Sequence, residues 1–127
     1  METQVRLSMK QMDEDGVMRL AFYGIGTLRR EAKWDIICYQ EEGDPPIDVR
    51  LRISDYDCVL IRKAEHTTKI QLQQSGQSHI TIQSEYGSFD VPVKTNLIRK
   101  EKGIWEIAYE MTNGLDRFHF LWEEKEG

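Results

Sequence analysis

The feature that most constrains this chain is an alternating stretch that runs from Tyr86 to Leu97. One set of alternate positions is almost entirely apolar: Phe89, Val91, Val93, Thr95 and Leu97. The positions between them are polar or break structure: Ser88, Asp90, Pro92, Lys94 and Asn96. Successive side chains of a strand point to opposite faces, so the stretch predicts a strand with one dry and one solvated face. Gly87 marks its start, because glycine adopts backbone angles that other residues avoid.

The same alternation recurs along most of the chain and predicts roughly ten short strands joined by turns. The clearest cases are 47–54 and 104–111, and Asn113-Gly114 is a strong hairpin signal. Such a pattern indicates a sandwich or a barrel, and three features favour an up-and-down antiparallel β-barrel. Most connections are hairpin-short, Gly24 and Gly26 provide a corner, and closure removes exposed edges. Residues 1–127 are therefore expected to form a single all-β barrel domain, with Pro92 at a bulge or a gap in pairing.

Composition excludes several classes of protein. The formal charge of −5 argues against general nucleic-acid binding, which requires a positive surface, and weakly against anionic membranes. No stretch is long and apolar enough to span a membrane, and the first residues do not resemble a signal peptide. Cys38 and Cys58 are too few for a disulfide framework, although a bridge between them on paired strands is left open. A reduced, cytoplasmic protein is the preferred interpretation.

The sequence contains no recognisable catalytic or metal-binding motif. The three histidines and two cysteines show no close metal-ligand spacing, and no nucleophile elbow is present. The Gly24-x-Gly26 pair is not a phosphate-binding loop, because position 29 is Arg29 and no helix follows. Paired acidic residues such as Glu41-Glu42 lie beside turns and are interpreted as solvated charges. We therefore expect no catalytic residues, no metal and no cofactor, and we do not expect an enzyme.

The segment from Tyr86 to about Ile98 resembles the signature of the YwiB-like family of small bacterial proteins. Three further segments share this resemblance: Gly24-Ile25-Gly26-Thr27, Val59-Leu60-Ile61-Arg62, and Ile107-Ala108-Tyr109 with Asn113-Gly114. The resemblance extends over essentially the whole chain. It implies a lipocalin-like, or calycin-like, barrel whose interior can hold a small apolar ligand, and it implies no established activity.

The residues expected to contact such a ligand are Trp34, Tyr39, Arg62, Trp105, Tyr109 and Phe120. Ligand cavities are mostly apolar with few polar anchors, which suits this set, although aromatic side chains also simply fill small barrels. Arg62 either points inward to an anionic partner or ends its strand with its head group in water. The alternative hypothesis is a non-catalytic interaction module, monomer or homodimer. It rests on apolar residues on both faces of 34–39 and 58–61.

Overall fold

The alternating segments form ten antiparallel strands in the computed structural model. The structure describes residues 2–12, 15–74, 77–111 and 114–124, apart from the side chains of 18–21 and 111. In chain order the strands are β1 (Glu2–Met12), β2 (Met18–Glu31), β3 (Trp34–Glu41), β4 (Ile47–Ile53), β5 (Asp57–Lys63), β6 (Thr67–Gln73), β7 (Ser78–Ser84), β8 (Gly87–Glu101), β9 (Ile104–Met111) and β10 (Gly114–Glu124). Nowhere in these four ranges is there a helix long and apolar enough to cross a membrane.

Each strand pairs antiparallel with the strands before and after it in the chain, and β1 closes the sheet on β10. The closing ladder runs from Val5 opposite Glu124 to Met12 opposite Arg117. The predicted all-β, up-and-down antiparallel barrel of ten strands is therefore confirmed. The expected hairpin turn at Asn113-Gly114 lies partly outside the described residues, since Asn113 is not among them.

The two ends of the barrel differ in how they are filled. We call one end, where β2 turns into β3 and β8 into β9, the floor. Fully buried apolar side chains occupy it: Leu7, Leu51, Ile53, Trp105, Ile107 and Phe120. The Trp105 ring meets that of Trp122 edge to face at 5.8 Å between centroids. We call the opposite end, where β3 turns into β4 and β5 into β6, the mouth.

Strand β2 leaves its neighbour β3 at a glycine, as a barrel corner requires. It pairs with β3 only over the positions from Thr27 to Glu31, while it pairs with β1 over nearly its whole length. A Cβ atom at Gly26 would lie 2.9 Å from the carbonyl oxygen of Cys38, too close for any side chain. Beyond the corner, the Phe22 ring packs on Tyr39 with 4.4 Å between ring centroids.

Strand β8 forms as expected, but its predicted dry face is only partly buried. Phe89 is 60% exposed and Val91 is 37% exposed, because the first half of β8 extends past the end of β9. A register shift between Thr95 and Leu97 then reverses the alternation, so that Leu97 lies opposite Ala108 instead of continuing the inward row. The prediction of one continuous dry face from Phe89 to Leu97 is therefore wrong at Phe89, Val91 and Leu97.

The cysteines do not form a bridge. Both are free thiols: Cys58 is buried in the core, whereas Cys38 is exposed on the outer face of β3. Their strands are separated by β4, and the pleat directs the two side chains to opposite faces of the wall. Cys58 thus behaves as a small buried hydrophobic residue, whereas Cys38 does not.

Candidate functional site

The mouth of the barrel contains a cavity of about 370 Å³. Its wall is built from inward-pointing side chains contributed by strands β1, β3, β4, β5, β6, β9 and β10: Met9, Gln11, Tyr39, Glu41, Val49, Leu60, Arg62, Thr68, Ile70, Tyr109 and Phe118. We call this cavity the cup. Most of these side chains are apolar, and the polar ones lie near the strand ends. The cup thus has an apolar wall and a polar rim.

Strand alternation explains why these residues meet. Tyr39 and Glu41 are two positions apart at the end of β3, and Leu60 and Arg62 are two positions apart at the end of β5. Within each pair both side chains point inward, and the second residue lies closer to the mouth. The strands thus supply an apolar or aromatic side chain to the wall and a charged one to the rim.

The rim carries an ion pair between the ends of β3 and β5, which lie on either side of β4. The Arg62 Nε donates a hydrogen bond to Glu41 Oε1 at 2.7 Å. The Glu41 side chain is 17% exposed and that of Arg62 is 47% exposed, so the carboxylate is the more enclosed partner. Each of the two alternatives for Arg62 is therefore partly confirmed. Arg62 lies near the end of its strand with a half-exposed side chain, and it has an anionic partner. The interpretation of Glu41 as a solvated charge is wrong.

Two buried phenols face the cup. Burial, together with the negative charge of Glu41, raises the pKa of Tyr39 well above its usual range, and Arg62 opposes this only in part. Burial also raises the pKa of Tyr109, and the carboxylate of Asp116 on β10 adds to the effect. Both phenols therefore stay protonated at neutral pH. They offer hydroxyl groups to a ligand but no ionised nucleophile.

The structure brings together three of the six residues expected to contact a ligand, namely Tyr39, Arg62 and Tyr109. Trp105 and Phe120 are fully buried in the floor and do not reach the cup. Trp34 lies on the outer face near the floor, where the Arg52 guanidinium stacks over its ring at 4.5 Å. Only the mouth half of the aromatic set is thus positioned to meet a molecule in the cup.

The outward-facing apolar residues on which the interaction hypothesis rested differ in exposure: Ile36 is covered by the chain itself, Trp34, Val59 and Ile61 are half-buried, and Cys38 is exposed. Ile36 is 2% exposed, because it lies between Arg29 and Arg52, its cross-strand neighbours. The stems of long cationic side chains commonly cover apolar surface in this way. The most exposed large apolar residues are Tyr23 on β2, Tyr56 in the turn before β5, and Tyr86 and Phe89 on β8 and the turn before it.

Sequence reasoning missed most of the apolar wall. Leu60, Thr68 and Ile70 lie on strands whose inward faces were predicted, but alternation does not say which end of a barrel is filled. Glu41 had a readable signal, because it continues the inward row of Ile37 and Tyr39 by one further step. That step was missed because Glu41 lies beside a turn and was interpreted as a solvated charge.

Two other hollows are less suited to a small molecule. One, of about 430 Å³, lies against the outer wall near Cys38 and Arg50. The other, of about 640 Å³, is lined mainly by polar residues such as Gln77 and Lys94. Among the residues described, no group of three or more histidine, cysteine or acidic side chains is arranged to hold a metal ion.

Comparison with known protein families adds to this geometry. The family model described as "Domain of unknown function (DUF1934)" matches residues 4–119, almost the whole chain. The chain belongs to this family. The crystal structure of the YwiB protein from Bacillus subtilis matches with a TM-score of 0.78 and 18% sequence identity, covering 98% of this chain and 94% of that one. A comparison with curated proteins gives no match.

The YwiB-like family membership expected from the sequence is confirmed by these findings. At 18% identity the YwiB likeness establishes a shared barrel fold and nothing about activity. What this DUF1934 barrel does must therefore be argued from the cup and from the surface around it.

Proposed function

We propose that the cup binds a small, largely apolar ligand whose polar end lies at the Arg62–Glu41 pair. The observation that carries this proposal is the cavity of about 370 Å³ at the mouth, beside a floor that is solidly filled. Small-molecule sites typically occupy roughly 300 to 1,000 Å³ and combine an apolar wall with a few placed polar groups. The cup meets both criteria.

The apolar body of the ligand would contact Met9, Leu60, Ile70 and Phe118, which come from four different strands. A ligand enclosed on several sides loses most of its contact with water, and each buried methylene group contributes roughly 0.8 kcal/mol. The wall therefore favours aliphatic or aromatic groups. It offers little to a strongly polar metabolite.

The ion pair at the rim favours a polar end that carries no net charge. The Arg62 Nε is used by Glu41, whereas its two Nη groups have no partner among the described residues. They are free to donate to a ligand oxygen, and the second Glu41 oxygen is free to accept from a hydroxyl or amide. Because the pair is neutral overall and Asp116 lies close by, an isolated anionic group would meet repulsion as well as attraction.

The proposed role is binding without catalysis. Catalytic acids, bases and nucleophiles need pKa values near the pH at which they work. Proteins obtain such values by shifting the pKa of the group toward that pH. The pKa values of the two phenols of the cup are shifted the other way, toward the protonated form, and Arg62 and Glu41 form an ion pair with each other. These groups hold and orient a molecule better than they transform one.

Native mass spectrometry of the protein purified from its own host tests this proposal. We expect an extra mass on the native chain that is released on denaturation. Thr68→Phe places a ring in the cup and should abolish the extra mass, whereas the matched variant Thr67→Phe faces outward and should retain it. A bare wild-type chain, or an extra mass that Thr68→Phe leaves unchanged, would refute binding in the cup.

A further inference from the structure

The first half of β8 is an open strand edge. β8 pairs with β9 only from Lys94 onward, so residues 87–93 have a described neighbour, β7, on one side alone. The opposite side presents backbone N–H and C=O groups that pair with no described strand. Such an edge is a template for a further strand unless the protein blocks it.

The turn before β8 fixes which residues face the open side. Ser84 and Gly87 flank a two-residue turn and lie opposite each other in the ladder, so they exchange backbone hydrogen bonds. Hydrogen-bonded pairs alternate along an antiparallel ladder. Ser88, Asp90 and Pro92 therefore direct their backbone groups to the open side, and Pro92 has no N–H to offer there.

Apolar side chains accompany this edge. Tyr86 is 85% exposed, and Phe89 and Val91 retain more contact with water than the inward residues of the other strands. The open backbone and the exposed rings occupy the same short segment. A partner strand added here would satisfy the backbone and cover the apolar side chains in one step.

We propose that a second copy of this chain pairs with this edge, antiparallel, with the two-fold axis passing between the two Phe89 residues. In that register Ser88 of each copy lies opposite Asp90 of the other, and four backbone hydrogen bonds form between the copies. The hydroxyl of Ser88 can donate to the Asp90 carboxylate, and the two Phe89 rings form a cross-strand aromatic pair, which is among the stabilising pairs of a sheet.

Neighbouring registers are poorer, which is why the axis is placed at Phe89. An axis at Asp90 sets two carboxylates opposite each other, a destabilising arrangement. An axis at Val91 pairs Asp90 with Pro92 and loses the hydrogen bonds that Pro92 cannot donate. The register at Phe89 uses only residues 87–91, all beyond the end of β9, so the pairing of β9 with β8 is left intact. An interface of this length is small, and the dimer should be in concentration-dependent exchange with the monomer.

Cysteine cross-linking tests the register directly. The background is Cys38→Ser, because Cys38 is an exposed thiol. With the axis at Phe89, two copies of Phe89→Cys bring their Cα atoms to about 4.5 Å, within disulfide reach. Two copies of Val91→Cys stay about 13 Å apart, four residues of strand, which is too far. We expect a disulfide dimer from Phe89→Cys and none from Val91→Cys.

Sedimentation velocity tests the dimer without a new thiol. Ser88→Pro removes an N–H on the open side and leaves the β7 ladder intact, so it should raise the dimer dissociation constant by about tenfold or more. Ser88→Thr keeps both the N–H and the hydroxyl and should dimerise like the wild type. A wild-type chain that stays monomeric at high concentration, a dimer indifferent to Ser88→Pro, or cross-linking at Val91→Cys instead of Phe89→Cys would overturn the proposal.

Discussion

Replacing Gly26 with alanine should destabilise the barrel, because β2 bends away from β3 at this residue. The new Cβ would lie 2.9 Å from the Cys38 carbonyl oxygen and 3.4 Å from the Tyr39 Cβ. The carbonyl belongs to the backbone of β3, and next to this point Thr27 pairs with Cys38. Relief of the contact therefore requires the two strands to separate where their pairing begins.

The expected magnitude follows from two opposing terms. Overpacking in a rigid environment typically costs 1 to 3 kcal/mol, while replacing glycine in a strand recovers roughly 0.5 to 1 kcal/mol by reducing the freedom of the unfolded chain. The middle of each range gives a net loss for Gly26→Ala of about 1 kcal/mol. Gly24→Ala is the matched control, because its Cβ would meet the far end of the Phe22 side chain, at 2.8 Å, and a side chain can shift aside where a strand backbone cannot. Its net effect should stay within about 0.5 kcal/mol.

Urea unfolding followed by tryptophan fluorescence measures both variants, because Trp105 and Trp122 are buried in the floor. With a urea dependence of roughly 1 to 3 kcal/mol per molar, a net loss of about 1 kcal/mol should lower the midpoint of Gly26→Ala by about 0.3 to 1 M. Equal midpoints for the two variants would refute the reasoning from the Cys38 carbonyl. So would a Gly26→Ala protein more stable than the wild type.

Three further outcomes are expected. Phe120→Ala should cost about 3 to 5 kcal/mol in unfolding free energy, because this ring is fully buried in the floor, whereas Phe89→Ala, measured in dilute solution, should change it by no more than about 0.5 kcal/mol. A thiol reagent should modify Cys38 in the native protein and reach Cys58 only after denaturation; equal rates would contradict the assigned faces. Burial raises the pKa of Cys58 from 9.0 to about 12, so the unfolded chain loses this proton first and the free energy of unfolding should fall as the pH rises through that interval. Urea titrations between about pH 7 and 11 measure this decline in the free energy of unfolding. Cys58→Val should make it less steep, and Cys38→Val should leave it unchanged.

The architecture was readable because strand alternation and turn residues are local signals. The pattern from Ile47 to Ile53 and the Gly24/Gly26 corner both describe what a segment does beside its immediate neighbours. An up-and-down barrel adds only one non-local decision, the pairing of the first strand with the last. Local rules were therefore almost sufficient for the fold.

The cup was less predictable, because it depends on where strands end relative to one another. Tyr109 and Trp105 occupy the same face of β9, yet only Tyr109 reaches the mouth. The exposure of Phe89 has the same origin. Strand β8 extends beyond the end of β9, and an apolar residue remains exposed to water where no neighbouring strand covers it. Strand tilt and stagger set these offsets, and they are properties of the closed barrel rather than of any single segment.

The pairing of β1 with β10 also concerns how the chain reaches its native state. Every other ladder joins strands that follow one another in the chain, so each can form as a hairpin at a small entropic cost. The ladder that includes Val5 and Glu124 joins positions near opposite ends of the polypeptide, and it satisfies two edges at once. During synthesis on the ribosome, β1 must wait for β10, and until then both edges can pair with other nascent chains. The same proximity means that a short linker can join these strands, so a circular permutant that is cut at the Asp55–Tyr56 turn and keeps all ten strands should still fold.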